Sequence, residues 1–198
     1  MIKDANMTDF FKCQEYLVRE NVGFTSLHES YEILDSDDKI LLATAIEDAD
    51  LSLKIQKLFF DKAFLPTQVK VRGTDGRLLL DLDQPRSIIL ATLVAKDSEG
   101  KILGNFKQTL FSYGGTLEVT DPDGGAIGSI RGDWKCRQYT FSDPGGKTIA
   151  TIDHLYGGVA RELLTTADDY RVKLTGDQNL APLVLAGTLA IDLVFHEA

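Results

Sequence analysis

The sequence has few cysteines and no excess of positive charge. Among its 198 residues only Cys13 and Cys136 are cysteines, and they form no CxxC pair. This excludes a cysteine-based zinc site or a thioredoxin-type motif, makes a disulfide framework unexpected and favours a reducing cytoplasm. Lysine and arginine number 21 against 30 aspartates and glutamates, so the formal net charge is −9. Such an acidic chain is not expected to bind nucleic acid, and it needs a local basic patch or a bridging cation to approach anionic lipid.

Enzyme and targeting signatures are also missing. Residues 1–16 contain no apolar run ahead of a small-residue cleavage site, so no secretory signal is expected. The chain has no GxSxG, HExxH or P-loop motif, and His28, His154 and His196 are too far apart for a metal pair at helical spacing. A conventional active site is therefore not expected, and an enzyme acting on a small ligand would need a cavity inside the fold.

A repeated pattern occupies most of the chain. An alternating apolar run leads to Asp with Gly or another turn-forming residue, and a second alternating run follows. Aspartate caps such a turn with its side chain, glycine adopts positive φ, and period-two spacing points one face of each strand inward. Each copy therefore predicts a β-hairpin, and six copies predict about twelve strands. The copies cover residues 31–40, 69–80, 93–103, 117–127 and 139–149, with a weaker sixth that turns at residues 175–177.

This number of strands predicts closure. An open twisted sheet of more than about ten strands curls or closes, and closure removes the exposed edges. Because about eight strands already form a barrel that side chains can fill, a barrel of about twelve needs something larger at its centre. The sequence thus predicts a mainly β protein, a single closed barrel of about twelve antiparallel strands over residues 1–198, with residues 1–15 leading in.

The C-terminus supplies a segment for the centre of the barrel. Residues 179–191 carry no charge and are apolar around the whole helical circumference, as in a buried core helix or a membrane span. Asn179 and Pro182 suit the start of a helix. A helix that ends before Asp192 reaches about 20 Å, short of the roughly 30 Å bilayer core. We therefore expect residues 179–197 to form a central hydrophobic helix, with a membrane span as the alternative.

The central helix also predicts one buried ion pair. Asp192 needs a partner if it lies inside the barrel, because buried carboxylates are paired or protonated. Arg161 is the expected partner.

A further apolar pattern separates the first two hairpins. Leu51, Ile55, Leu58 and Phe59 fall on one face of a helix. The favoured interpretation is a helix that packs on the barrel or caps one end. The alternative is an interfacial helix over residues 51–64 that contacts lipid.

Three C-terminal elements are similar to a known family. Residues 156–162 read YGGVARE, like an aromatic-Gly-x-x-Arg-Glu element, and residues 165–170 read TTADDY, like a Thr-Asp-Ala-Asp-Asn-aromatic element. Residues 190–195, AIDLVF, match the end of a terminal helix. With these elements the chain resembles the phospholipid scramblase and LURP-one-related proteins of the tubby-like superfamily. The resemblance implies a twelve-stranded barrel around a central helix and a lipid-related function, either phosphoinositide binding or calcium-stimulated lipid scrambling.

Calcium is the cofactor that the resemblance implies. Animal scramblases place a proposed calcium segment where this chain has residues 166–177, whose carboxylates are Asp168, Asp169 and Asp177. Calcium takes about six to eight oxygen ligands. Because residues 170–174 alternate between apolar and basic, they predict a strand, which cannot wrap a cation with those side chains. An ordinary turn and strand is the favoured interpretation, and a calcium site is the alternative.

Five basic residues form a candidate lipid-binding set. Lys70 and Arg72 share one face of a predicted strand by period two, Lys135 and Arg137 share a face of another, and Arg131 is expected near the second pair. Clustered cations of this kind can bind anionic headgroups, whereas the solvent face of an ordinary strand also carries such charges.

Two functional hypotheses follow. The first is a cytoplasmic, scramblase-like barrel that binds phospholipid peripherally at the inner face of a membrane, with calcium-dependent lipid translocation as its furthest extension. The second is a non-catalytic barrel that acts as a protein-interaction module or scaffold, as a homo-oligomer or with a protein partner. Vesicle flotation separates the two hypotheses.

Overall fold

Twelve antiparallel strands close into a barrel around a C-terminal helix. The computed structural model describes residues 10–21, 30–36, 39–48, 66–87, 89–110, 114–155 and 169–196. The strands are β1 (Glu15–Glu20), β2 (Ser30–Asp35), β3 (Leu41–Glu47), β4 (Thr67–Gly73), β5 (Leu78–Gln84), β6 (Thr92–Asp97), β7 (Ile102–Gln108), β8 (Thr116–Thr120), β9 (Ala126–Gly132), β10 (Gln138–Ser142), β11 (Thr148–Leu155) and β12 (Asp169–Leu174). Strands pair in chain order, and β1 closes the cylinder by pairing with both β2 and β12. This confirms the predicted fold class.

Five of the predicted hairpins are present, and the turn between β8 and β9 shows their geometry. Asp121 Oδ1 accepts hydrogen bonds from the main-chain N–H groups of Asp123 at 2.9 Å and Gly125 at 2.7 Å. Gly124 has a φ of +88°, a conformation that is costly for a residue with a Cβ. The strand register shifts beside this turn and in the other four hairpins. The Asp and Gly of the repeat thus determine where the chain reverses.

The sixth predicted hairpin is wrong. Strand β12 ends at Leu174 and pairs with β11 and β1, and the residues after it lead into a helix. Asp177 accepts a hydrogen bond from Asn179 N at 3.0 Å and caps a 3₁₀ turn, Gln178–Leu180. Asn179 is therefore not the helix cap, and β1 and β12, which lie outside the five hairpins, complete the twelve strands.

The helix α1 (Ala181–Ile191) fills the barrel, as predicted, and only Pro182 among its residues is not buried. Asp192 does not interrupt the helix as the sequence suggested, because a π-helical turn, Asp192–His196, continues it. The segment Gln178–Phe195 has the length and composition of a membrane span, and 72% of it is buried inside the protein. Burial, rather than length, therefore identifies this segment as a core helix.

The barrel has two chemically different ends. The five hairpin turns form one end, here called the turn end. The connections after β1, β3, β5, β7, β9 and β11 form the other end. We call it the exit end because α1 begins after β12 at the turn end and runs through the barrel toward this opposite end. Phe195 stacks on Tyr139 at the exit end, with ring centroids 6.3 Å apart. An aspartate lies at each of the five hairpin turns, and Asp177 follows β12 at the same end: Asp35, Asp75, Asp97, Asp121, Asp143 and Asp177. Asp48, Asp133 and Asp169 lie at the exit end.

Candidate functional site

A buried carboxylate attaches the end of the helix to the barrel wall. Asp192 is 2% exposed, and its carboxylate oxygens accept hydrogen bonds from the hydroxyls of Tyr31 on β2 and Tyr170 on β12, each at 2.6 Å. The ring of His154 stacks on that of Tyr170, with centroids 5.1 Å apart. Arg161, the predicted partner of Asp192, lies outside the described residues. Because β1 lies between β2 and β12, these two bonds connect the helix to both sides of the strand that closes the barrel.

The carboxylates predicted to bind calcium are not all brought together. Asp169 begins β12 at the exit end, is 8% exposed and lies 3.7 Å from Arg19 Nε through Oδ2. Asp177 follows the opposite end of β12, so the two are separated by at least about 16 Å of extended chain. Asp168 lies outside the described residues. Within the described ranges, no group of three or more His, Cys, Asp or Glu side chains could hold a metal ion.

The first basic pair lies on the outer face of β4 and is engaged locally. Lys70 Nζ lies 2.7 Å from Asp48 Oδ2 in an ion pair. Arg72 Nη1 donates a hydrogen bond to the main-chain oxygen of Gly76 at 3.1 Å. Both cations therefore already have partners within the protein, and a lipid phosphate would have to compete with them.

The second basic group is divided between a strand and a turn. Arg131 lies on the outer face of β9, whereas Lys135 and Arg137 lie in the turn between β9 and β10, which corrects the prediction that they share a strand face. Asp133 Oδ1 accepts a hydrogen bond from Arg137 N at 2.7 Å, and this bond lowers the pKa of the Asp133 carboxyl. Cys136 has a φ of +53°. It occupies the left-handed position that glycine fills in four of the hairpin turns and Lys39 fills in the turn between β2 and β3.

Exposed apolar side chains accompany these cations at the exit end. Trp134, Ile89 and Leu110 are 77%, 69% and 58% exposed, and they lie on three successive connections around the barrel. Lys135 Nζ lies 4.6 Å from the centroid of the Trp134 ring, a cation–π contact. We call Ile89, Leu110, Trp134, Lys135 and Arg137 the rim patch. Sequence reasoning missed Trp134, although the only tryptophan of the chain, placed among polar residues, was a usable signal.

A groove of about 1010 Å³ crosses the outer face of β8, β9 and β10 and reaches the rim patch at Leu110. Arg131 lies in it between Thr116 on β8 and Thr140 on β10. Within the part of the chain that the structure describes, the Arg131 guanidinium forms no hydrogen bond or ion pair. Of the five basic residues predicted to contact lipid, Arg131 is thus the one placed in a concave surface with its charge available.

Comparison with known proteins agrees with this architecture. The family model described as Scramblase matches residues 28–198. The chain belongs to the Scramblase family. The crystal structure of a protein from Arabidopsis thaliana has a similar fold, with a TM-score of 0.52 and 12% sequence identity over 95% of this chain and 99% of that chain. At that identity the likeness concerns the fold alone. No curated protein matches the chain.

Membership of the Scramblase family supports a scramblase-like or lipid-binding function and an association with membrane phospholipid. The apolar helix is buried in the barrel, which is compatible with a protein that associates peripherally with the membrane. The family resemblance noted in the sequence is thereby confirmed.

Proposed function

We propose that this protein binds phospholipid peripherally at the cytoplasmic face of a membrane, with the exit end of the barrel toward the bilayer. The observation that carries the proposal is Trp134, 77% exposed beside Lys135 and Arg137. Tryptophan favours the membrane–water interface because its ring is both apolar and polar. Lysine and arginine are attracted to the anionic lipids of the cytoplasmic leaflet.

The charge distribution supports the same orientation. The turn end carries an aspartate at each of the five hairpin turns, and an anionic surface would repel it. At the exit end, Lys135 and Arg137 lie in the turn that also contains Asp133. The rim patch thus supplies two local cations through which a chain with a net charge of −9 can contact anionic lipid.

Intrinsic fluorescence tests this proposal directly. Because the chain has a single tryptophan, a blue shift on adding phosphatidylcholine–phosphatidylserine vesicles reports the environment of Trp134 alone. Brominated lipid should quench this emission. Unchanged emission and no flotation with any anionic lipid mixture would refute the proposal.

Variants separate the apolar from the electrostatic contribution. Each rim cation contributes about 1 kcal/mol at an anionic surface, so the double variant Lys135→Gln/Arg137→Gln should weaken vesicle partitioning about 30-fold. Trp134→Ala should weaken flotation at least about fivefold at any lipid charge. The matched control is Ile40→Ala, which removes a side chain that is 58% exposed at the turn end and should leave flotation unchanged.

Lipid translocation and its dependence on calcium remain predictions. A fluorescent-lipid scrambling assay on reconstituted vesicles, run with and without calcium, tests both. Substituting Asp168, Asp169 and Asp177 singly then identifies any carboxylate that mediates a calcium effect.

The second hypothesis, a protein-interaction module, is favoured by the same rim patch. Exposed tryptophan and arginine are enriched at protein interfaces. In that case the chain would form a homo-oligomer or capture a protein partner through Trp134, and vesicles would leave its fluorescence unchanged.

A further inference from the structure

The groove beside the rim patch carries charges of both signs. Arg131 on β9 and Glu118 on β8 both line it. Because Arg131 pairs with Thr116 and Glu118 is two residues further along β8, the two charged residues are diagonal neighbours on one face, about 7–8 Å apart between Cα atoms. Lys107 faces Glu118 across β7 and β8, but no ion pair within 4.0 Å joins them among the described residues.

Hydroxyl groups surround the two charges. Thr116 and Thr140 flank Arg131, and Ser129 lies between Glu118 and Ser142. None of these four hydroxyls makes a hydrogen bond to the described part of the chain. Each can therefore donate to, or accept from, a ligand in the groove.

We propose that this groove binds the zwitterionic headgroup of a phospholipid, with Arg131 contacting the phosphate and Glu118 the ammonium group. Guanidinium binds phosphate with paired, charge-assisted hydrogen bonds, and a carboxylate at the diagonal position of the neighbouring strand can bind an amine on the same headgroup. The inference rests on the proposed function, because membrane docking through the rim patch brings lipid headgroups to the groove at Leu110.

The lining disfavours a polyanionic headgroup. Arg131 is the only cation among the described residues that line the groove, whereas Glu118 and Asp143 are both acidic. Several phosphate groups would meet one guanidinium and two carboxylates. The expected ligand chemistry is therefore one phosphodiester with one ammonium group, whether it comes from a membrane lipid or from a free headgroup.

Titration of the soluble protein with glycerophosphoethanolamine, followed by NMR, tests the groove without a membrane. The Arg131 side-chain N–H and the amides of β8, β9 and β10 should shift. Arg131→Gln should weaken binding at least about tenfold, the effect of losing a charge-assisted hydrogen bond. Glu118→Gln should weaken the binding of glycerophosphoethanolamine but not that of glycerol 3-phosphate, because glycerol 3-phosphate lacks the amine. The control Lys101→Gln changes an exposed cation at the turn end and should have no effect.

The outcomes separate this inference from the proposed function. Titration shifts confined to the groove and lost in Arg131→Gln support the site, and the same loss in vesicle binding identifies membrane lipid as the source. Headgroup binding without any fluorescence response to vesicles would refute peripheral docking and leave a site for free headgroups. Normal vesicle docking by Arg131→Gln together with unchanged headgroup binding, or tighter binding of inositol trisphosphate than of glycerophosphoethanolamine, would overturn the groove assignment.

Discussion

Removing a single hydroxyl from the barrel wall should measurably loosen the central helix. Tyr31→Phe and Tyr170→Phe each delete one of the 2.6 Å hydrogen bonds to Asp192. A hydrogen bond to a charged group contributes about 1.5–3 kcal/mol to the free energy of unfolding. For a domain of this size, 1 kcal/mol corresponds to about 2–4 °C in Tm. Each variant should therefore lower Tm by about 3–12 °C in thermal unfolding followed by circular dichroism.

A third tyrosine provides the matched control. Tyr16 is buried in the same barrel, but its hydroxyl donates to a neutral acceptor, the main-chain oxygen of Phe10, at 2.8 Å. Tyr16→Phe should cost only about 0.5–1.5 kcal/mol. The double variant at Tyr31 and Tyr170 should depart from additivity by at least about 0.5 kcal/mol, since both hydroxyls share one acceptor. If both single variants unfold within 1 °C of the wild type, or no earlier than Tyr16→Phe, the role given to Asp192 is wrong.

Three further predictions concern the turns, alkaline pH and the helix. In urea unfolding, Gly124→Ala should lower the free energy of unfolding by about 1–2 kcal/mol. Nothing lies within 4 Å of the added Cβ, so this cost comes from the φ of +88° alone. Cys136→Gly should not lower the free energy of unfolding, because it relieves a φ of +53°. Burial raises the pKa of Tyr16 above its ordinary 10.0, so the unfolded chain releases this proton first, and stability should fall by about 1.4 kcal/mol per unit above pH 10, less steeply in Tyr16→Phe. With Cys13 and Cys136 replaced by serine, Val184→Cys should resist maleimide in vesicle-bound protein, and rapid labelling would show that the helix leaves the barrel.

The hairpins could be predicted because their turns are local chemistry. In four of the five strong copies of the repeat, an aspartate and a glycine within a few residues fix the reversal, as Asp121 and Gly124 show, and in the first copy Lys39 takes the positive φ instead. The sixth copy failed because residues 175–177 offer the same residue types to a different structure. There Asp177 caps a 3₁₀ turn, and only the pairing of β12 with β1, about 150 residues earlier in the chain, determines where the strand belongs.

The candidate site was only partly predictable. Lys135 and Arg137 were assigned to a strand because the turn that contains them lacks glycine, and Cys136 takes the left-handed position instead. Without that glycine, alternation alone was the visible signal. Arg131 was placed on the correct strand, but its position between Thr116 and Thr140 depends on pairing with β8 and β10, which period-two spacing cannot supply.

The engaged cations illustrate the same limit. Lys70 and Arg72 were predicted from spacing, yet whether they are available depends on Asp48 and the turn at Gly76. Because partners of this kind come from the next strand or turn, the spacing of residues in the sequence can predict a charged strand face. It cannot predict which of the charged side chains already have a partner in the folded protein.

The position of α1 decides how this barrel can act on lipid. Leu183, Val184, Leu185, Leu189 and Ile191 are all buried against the inner wall, and each such side chain stabilises the fold by about 1.5–3 kcal/mol. Moving the helix into a bilayer would bury these side chains again, but it would expose the apolar side chains of the wall that faced them. Because each exposed wall side chain also costs about 1.5–3 kcal/mol, exposing several of them would cost as much as the whole stability of a domain, about 5–15 kcal/mol. Any lipid that this protein binds or moves is therefore expected to meet the outside of the intact barrel, where Trp134 and Arg131 lie.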